Sequence, residues 1–316
     1  MQHSIGPRCS ACLPKTNCLA TGSGCDHFAA IPRAPVCAPR HGALVLNAPA
    51  RLPIVQPPHA AFDTVKVLWV RHWNEHLFSL AVERPQSFRF RSGEFVMLGM
   101  EVEGKPLMRA YSIASAAWAE EVEFLSIKVE DGPLTSRLQL VGEGDELYLG
   151  RKPTGTLVTD ALRPGKRLFL LSTGTGLAPF LSLIRDPDTY ERFEQVIVVH
   201  SVRRVSDLAF REELSASFAE DPLVGEQAAA QLHYLPTCTR EPFENQGRIQ
   251  ALIESGKMFA EPITGPAQFD PAEDRIMLCG STAMINEFAK HFEAIGFEEG
   301  SNARPADFVI ERAFVG

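Results

Sequence analysis

At 316 residues the chain is long enough for two ordinary domains. Its 45% hydrophobic and 22% charged content is that of a globular protein, and no apolar run reaches the roughly 18 residues that a membrane-spanning helix needs. A net charge of −8 argues against nucleic acid as the main partner.

Residues 1–60 stand apart from the rest. They hold Cys9, Cys12, Cys18, Cys25 and Cys37, are poor in acids and dense in proline, and show neither helical nor strand periodicity. Thiolates can converge on zinc, but these spacings do not repeat as paired knuckles, so no metal site is expected. No secretory charged-then-apolar leader is present. The expectation is a disordered extension, or residues upstream of the true start. Beyond it only Cys238 and Cys279 remain, too few for a disulfide framework, so a reducing cytoplasm is the expected setting.

From about Phe62 to Asp160 the chain reads as short strands: "TVKVLWVRHW", "LFSLAVERP", "EFVMLGM", "RAYSIASA", "EFLSIKV" and "DELYLG". They are rich in β-branched and aromatic residues and are separated by glycine turns, which predicts an antiparallel barrel or sandwich. One short helix is predicted near Ser136–Leu140. Within "RAYSIAS", Arg109 and Tyr111 share one strand face and Ser112 takes the other. A ring beside a cation suits a ligand that is flat at one end and anionic at the other. For both Tyr111 and Ser112 to serve one ligand, a bend or bulge near Ser112 is expected. In "DGPLTSRL", Gly132, Thr135 and Ser136 sit at a turn into the short helix, a possible phosphate cradle.

After Arg163-Pro164-Gly165 the rhythm changes. The apolar strands "KRLFLLST", "QVIVVHSV", "QLHYLPTC" and "DRIMLCGS" alternate with amphipathic helices, which predicts a parallel sheet covered on both faces. One longer helix is expected through "DLAFREELSASFAED". In the last helix Met284, Ile285, Phe288, Phe292 and Ile295 are expected in the core, with Ser281 as the cap. "LLSTGTGLAPF" carries a strand through Gly174-Thr175-Gly176 directly into a helix, a backbone arrangement that favours a phosphate. Arg203 and Arg204 lie just past one strand end and Arg240 past the next, where ligands of open α/β sheets bind. Guanidinium groups there suit a 2′-phosphate, and hence NADPH over NADH.

Taken together, "RAYSIAS", "DGPLTSRL", "STGTGLAPF", "CGS" and "FVIERAFVG" resemble the bacterial group of the ferredoxin/flavodoxin–NADP⁺ reductases, in order, over about residues 62–316. The resemblance implies two domains, an antiparallel FAD-binding β-barrel at 61–162 and a Rossmann-like α/β NADP(H)-binding domain at 163–316. It implies that Arg109 pairs with the FAD pyrophosphate, Tyr111 stacks on the isoalloxazine and Ser112 lies near flavin N5. Lys128 and Val129 would border the flavin and ribityl region, and Gly132, Leu134, Thr135 and Ser136 would hold the pyrophosphate. Thr175 would reach the flavin. Gly174, Gly176 and Ala178 would line the NADP⁺ pyrophosphate site, with Arg203, Arg204, Thr239 and Arg240 around the 2′-phosphate. Cys279 would sit beside the nicotinamide, and Glu311 would relay a proton or orient that ring. The tail would fold onto FAD, with Ala313 near the isoalloxazine and Phe314 near the adenine.

The implied reaction is hydride transfer between nicotinamide C4 and flavin N5, followed by one-electron transfer to ferredoxin or flavodoxin. The carrier would dock transiently and electrostatically on a monomer, with Arg89, Arg91, Lys105, Arg151 and Lys152 as candidate contacts. A free-flavin reductase or an oxygenase reductase component is the alternative within flavoenzymes. A nucleotide-binding regulator without turnover is the alternative outside them.

Overall fold

A computed structural model describes residues 52–312. Alternating β-branched and aromatic residues give six antiparallel strands: β1 (Phe62–His72), β2 (Leu77–Glu83), β3 (Phe95–Val102), β4 (Lys105–Ser112), β5 (Glu121–Ile127) and β6 (Glu146–Gly150). They lie in the order β4-β3-β6-β1-β2-β5. The two ends meet where Ile113 bridges Phe124 and the Ala114 N–H donates to the Glu123 carbonyl at 2.8 Å, which closes a barrel. Inside pack Val65, Phe78, Leu80, Leu98, Phe124 and Leu147. The β3–β4 hairpin turns over Glu103 and Gly104 with φ 52° and 75°, the left-handed pair that matches strand twist. The short helix α1 spans Thr135–Leu138, one residue earlier than predicted at its start and two at its end.

Residues 52–60 were expected in the extension, yet they are tied to the barrel. The Ile54 N–H donates to Asp145 at 2.8 Å, and Tyr148 donates its hydroxyl to the Pro57 carbonyl at 2.7 Å. Gln56 is only 5% exposed, accepts the Glu101 N–H at 2.8 Å and donates to the Glu146 carbonyl at 3.1 Å. Prolines remove the strand pattern here, so the attachment runs through side chains and carbonyls that periodicity does not report. The cysteines at 9–37 and the segment around them lie outside the described residues, as do Ala313 and Phe314.

The second half alternates β7 (Arg167–Thr173), α2 (Ala178–Ile184), α3 (Pro187–Arg192), β8 (Gln195–Val202), α4 (Arg211–Ser215), α5 (Gly225–Gln231), β9 (Leu232–Cys238), α6 (Ile249–Glu254), β10 (Asp274–Gly280), α7 (Thr282–Ala294) and β11 (Phe308–Arg312). Its strands run in the order β11-β10-β7-β8-β9, every neighbouring pair parallel. All seven residues of β10 are buried, as two-sided coverage by helices requires. Pro236 sits in the edge strand β9, where a missing ladder donor is tolerated.

Two expectations are corrected. The helix predicted through "DLAFREELSASFAED" shrinks to the five residues of α4. Phe210 precedes it with φ 58°, and Ser217 and Phe218 follow at φ 48° and 49°, so left-handed backbone bounds it on both sides. Ile295 is 41% exposed because it falls one residue past α7, while Met284, Ile285, Phe288 and Phe292 are buried as expected. Ser281 caps α7 by accepting the Met284 N–H at 3.4 Å.

The two halves are joined beside β4. Ser182 on α2 donates its hydroxyl to the Ser115 carbonyl at 2.6 Å and accepts the Gly93 N–H at 3.2 Å. Arg185, just after α2, pairs with the buried Glu123 of β5 at 2.5 Å and also donates to the Ala114 carbonyl at 3.3 Å. These contacts fix the C-terminal part of α2 against the barrel wall.

Candidate functional site

The bend expected at Ser112 is a change of partner. Ser112 is the last β4 residue to pair with β3, opposite Phe95, and Ile113 already pairs with Phe124 of β5. Tyr111 and Ser112 therefore both border one narrow cleft of about 90 Å³ despite their alternating directions. Arg109, Val129, Gly132, Leu134, Thr135, Thr175, Ala178 and Cys279 complete its walls. The Tyr111 ring meets Phe124 edge-on at 6.1 Å, and burial raises its phenol above the usual range. Gly132 must be bare, since a Cβ there would lie 2.2 Å from Thr135 Oγ1. Arg109 donates to the Met108 carbonyl at 2.9 Å and has no carboxylate partner among the described residues.

Behind the cleft Ser112 Oγ donates to Glu311 Oε1 at 3.3 Å, and Glu311 stands opposite Cys279 in the β10–β11 register. Oε2 of Glu311 is buried with no well-formed hydrogen bond to any described residue. Burial lifts this carboxyl to about 7, with the Glu94 charge adding, although the Ser112 hydroxyl and the Thr156 backbone oppose the shift. Burial, then the Glu311 charge, raises the Cys279 thiol, which is therefore protonated at neutral pH.

A larger cavity of about 860 Å³ opens at the carboxyl ends of β7, β8 and β9. Gly174, Arg203, Arg204, Thr239 and Arg240 line it, where the sequence placed the NADP⁺ phosphates, and Thr175, expected at the flavin, lines it as well. Gly174 has φ 56° and open space around it, a backbone that glycine adopts at no steric cost. The three arginines form no ion pair among the described residues, so their charge is available to an anion. Thr175 and Ile127 border both cavities, which places ligands in the two spaces against each other.

Four predicted site residues sit elsewhere than expected. Gly176 lines neither cavity; a Cβ there would lie 2.3 Å from the Cys279 carbonyl, so it lets the turn after β7 pass close against the end of β10. Ala178 borders the narrow cleft and not the large cavity. Lys128 lines neither and donates Nζ to the Asn74 carbonyl at 2.7 Å. Ser136 lines neither and returns its N–H to the Gly132 carbonyl at 3.1 Å.

Two further residues escaped the sequence reading. Arg248, just before α6, lines the large cavity; its position after Gly247 past a strand end was the available signal. His200, buried in β8, lies within 3.1 Å of the Gly174 carbonyl through Nε2 and 3.4 Å of the Tyr234 hydroxyl through Nδ1. A carbonyl only accepts, so Nε2 carries the proton and Nδ1 accepts from Tyr234. Burial lowers this imidazole to about 4, leaving it neutral beneath the glycine loop.

Of the candidate docking charges, Arg151 is paired with Asp63 at 2.7 Å and Arg91 with Glu94 at 2.9 Å. Arg89 donates to the Gln86 and Phe88 carbonyls. Lys105 and Lys152 have no ion pair among the described residues. Among those residues there is also no helix long and apolar enough to cross a membrane.

Comparison with known proteins agrees with this geometry. A family model described as an oxidoreductase FAD-binding domain matches residues 70–158, and one described as an oxidoreductase NAD-binding domain matches 170–290. A flavodoxin/ferredoxin–NADP reductase of Rhodobacter capsulatus is 52% identical over 263 residues, covering 83% of this chain and 97% of the relative. A ferredoxin–NADP reductase of Pseudomonas aeruginosa is 53% identical over 253 residues, covering 80% and 97%. Among solved structures, a ferredoxin NADP⁺ reductase from Neisseria gonorrhoeae with bound FAD and NADP superposes with a TM-score of 0.72 at 30% identity. It covers 81% of this chain and 100% of that one.

Proposed function

The chain belongs to the ferredoxin–NADP reductases, FAD enzymes that move electrons between NADP(H) and ferredoxin or flavodoxin, and from that premise we propose how its residues divide the work. Residues 61–162 form the FAD-binding unit and 163–316 the NADP(H)-binding unit.

The residues bordering the narrow cleft have the chemistry to hold FAD. Gly132 is bare where a side chain would collide, Arg109 is free of carboxylate partners among the described residues, and a buried oxygen of Glu311 waits beside Ser112. Arg109, Gly132, Leu134 and Thr135 would hold the pyrophosphate, Tyr111 the ring face, and Val129 the ribityl side. When bound, FAD supplies the exchange between hydride and single-electron chemistry that no side chain offers.

The protein's own part is positioning and proton management. Thr175 and Cys279 shape the junction where nicotinamide enters, with the neutral thiol giving a small apolar surface there. Glu311, titrating near neutrality, takes up or releases a proton through the Ser112 hydroxyl. Arg203, Arg204, Thr239 and Arg240 recognise the 2′-phosphate, which selects NADPH over NADH. The carrier docks transiently on a monomer in the cytoplasm, with Lys105 and Lys152 among its contacts.

The observation that carries this reading is the shared border of the two cavities at Thr175 and Ile127. It is tested by anaerobic visible absorption of the purified protein before and after one equivalent of NADPH, with NADH in parallel. Flavin bands that bleach with NADPH and barely with NADH support it. Equal bleaching by both removes the 2′-phosphate assignment, and no flavin after reconstitution removes the reading of the cleft.

A further inference from the structure

The turn that presents Arg203 and Arg204 is held partly from outside its own domain. Within the turn, Asp207 accepts the Arg204 N–H at 3.1 Å and donates its own N–H to the Arg204 carbonyl at 2.9 Å. From the loop after β9, the Arg240 N–H reaches the Arg203 carbonyl at 3.0 Å, and Glu241 accepts the Val205 N–H. Cys238 at the end of β9 donates Sγ to the Arg203 carbonyl at 3.0 Å, and further contacts come from the barrel, through Asn74 in the connection between β1 and β2.

Asn74 is fully engaged. Its Nδ2 donates to the Ser206 carbonyl at 2.6 Å and to Asp207 Oδ1 at 3.0 Å, while its Oδ1 accepts the His76 N–H at 2.6 Å. A carbonyl and an amide N–H as partners fix which way the side-chain amide points. The Asn74 carbonyl accepts Lys128 Nζ at 2.7 Å, directly after Ile127, which borders both cavities. The same hairpin is braced nearby: Trp73 packs on Phe210 at 4.5 Å, and Arg71 lies 3.6 Å above Trp73 while pairing with Glu213 at 2.9 Å. Asn74 itself does not border the large cavity, although Asp207 does.

We propose that Asn74 is a positioning residue for 2′-phosphate recognition: the barrel's amide holds the Arg203–Arg204 turn in its gripping geometry, so both domains set cofactor selectivity. The inference rests on assigning Arg203, Arg204 and Arg240 to that phosphate. Without the amide, the Ser206 carbonyl and one Asp207 oxygen lose their donor, and the turn gains freedom that phosphate binding must then remove.

The test uses the holoenzyme. Binding of adenosine 2′,5′-bisphosphate is measured by calorimetry for wild type, Asn74→Ala, Asn74→Asp and Arg204→Ala, and steady-state constants are taken with NADPH and NADH. Asn74→Ala should weaken the bisphosphate about five- to tenfold and raise KM for NADPH with kcat held, leaving NADH within about twofold. Asn74→Asp should weaken it further, because a carboxylate then faces the Asp207 carboxylate. Asn74→Ser replaces the alanine variant if that one does not fold. Unchanged bisphosphate affinity in the Asn74 variants, with Arg204→Ala weakened, overturns the role of Asn74 and leaves the phosphate site standing. Equal weakening toward NADPH and NADH makes Asn74 merely structural and also overturns it. No effect of Arg204→Ala removes the phosphate site and this inference with it.

Discussion

Glu311→Gln should make the FAD-free protein more stable at pH 8, although it alters a residue at the site. The native carboxyl is buried, and its pKa rises from 4.5 to about 7 on folding. A carboxyl whose folded value is raised binds its proton more tightly in the native state. Its contribution is therefore full below pH 4.5 and is lost as the pH climbs through 7. A rise of about 2.5 units corresponds to about 3 kcal/mol at most. Glutamine keeps the acceptor for Ser112 Oγ, which now lies 3.3 Å from Oε1, and cannot ionise. Urea unfolding of wild type and E311Q from pH 4 to pH 8.5 reads the difference directly. The two curves should coincide near pH 4, allowing for a constant offset, and diverge toward alkaline pH in favour of the variant. A difference that stays flat across this range would refute burial as the dominant cause of the shift.

Two further outcomes follow from other buried groups. His200 has its pKa lowered from 6.5 to about 4, so the stability it contributes is present above pH 6.5 and falls away as the pH drops through 4, by about 3 kcal/mol. His200→Gln retains a donor for the Gly174 carbonyl and should flatten that acid limb; an unchanged limb in urea titrations would point to other groups. Arg185→Ala strands the buried Glu123 carboxylate and should cost about 3 kcal/mol or more. The double variant with Glu123→Ala should cost less than the sum, and additivity in urea unfolding would show that the pair is not coupled.

Where local pattern and tertiary role coincide, the residues were legible. The change from alternating strands to apolar strands with amphipathic helices marked both halves, and Gly174-Thr175 before a helix marked the large cavity correctly. Gly176 had the same surroundings in sequence, but its lack of a side chain serves the approach to the Cys279 carbonyl, a contact 103 positions away that spacing cannot express. The direction of Ser112 depended on β4 exchanging one partner strand for another, which the alternation of residues implied only as a conflict. His200 gave no periodic signal, lying near the end of the largely apolar run "QVIVVHSV". Asn74 reads as an ordinary turn residue until the segment 132 residues later is seen against it. Residues 52–60 were misjudged because prolines conceal an attachment made through carbonyls and side chains.

The pairing of Ser112 with Glu311 spans 199 positions, and this separation has a consequence during synthesis. At a ribosomal rate of about 5–20 residues per second, roughly 10 to 40 s pass between the emergence of these two residues. Through that interval the barrel strands can already pair, and in its last part β10 is made while the edge that will receive β11 is still open. The nascent flavin site thus lacks the Glu311 carboxyl behind its cleft until β11 has emerged. A chain interrupted before β11 would carry most of the barrel core without the carboxyl that completes the site, and the exposed β10 edge would offer a chaperone or protease a clear mark of incompleteness.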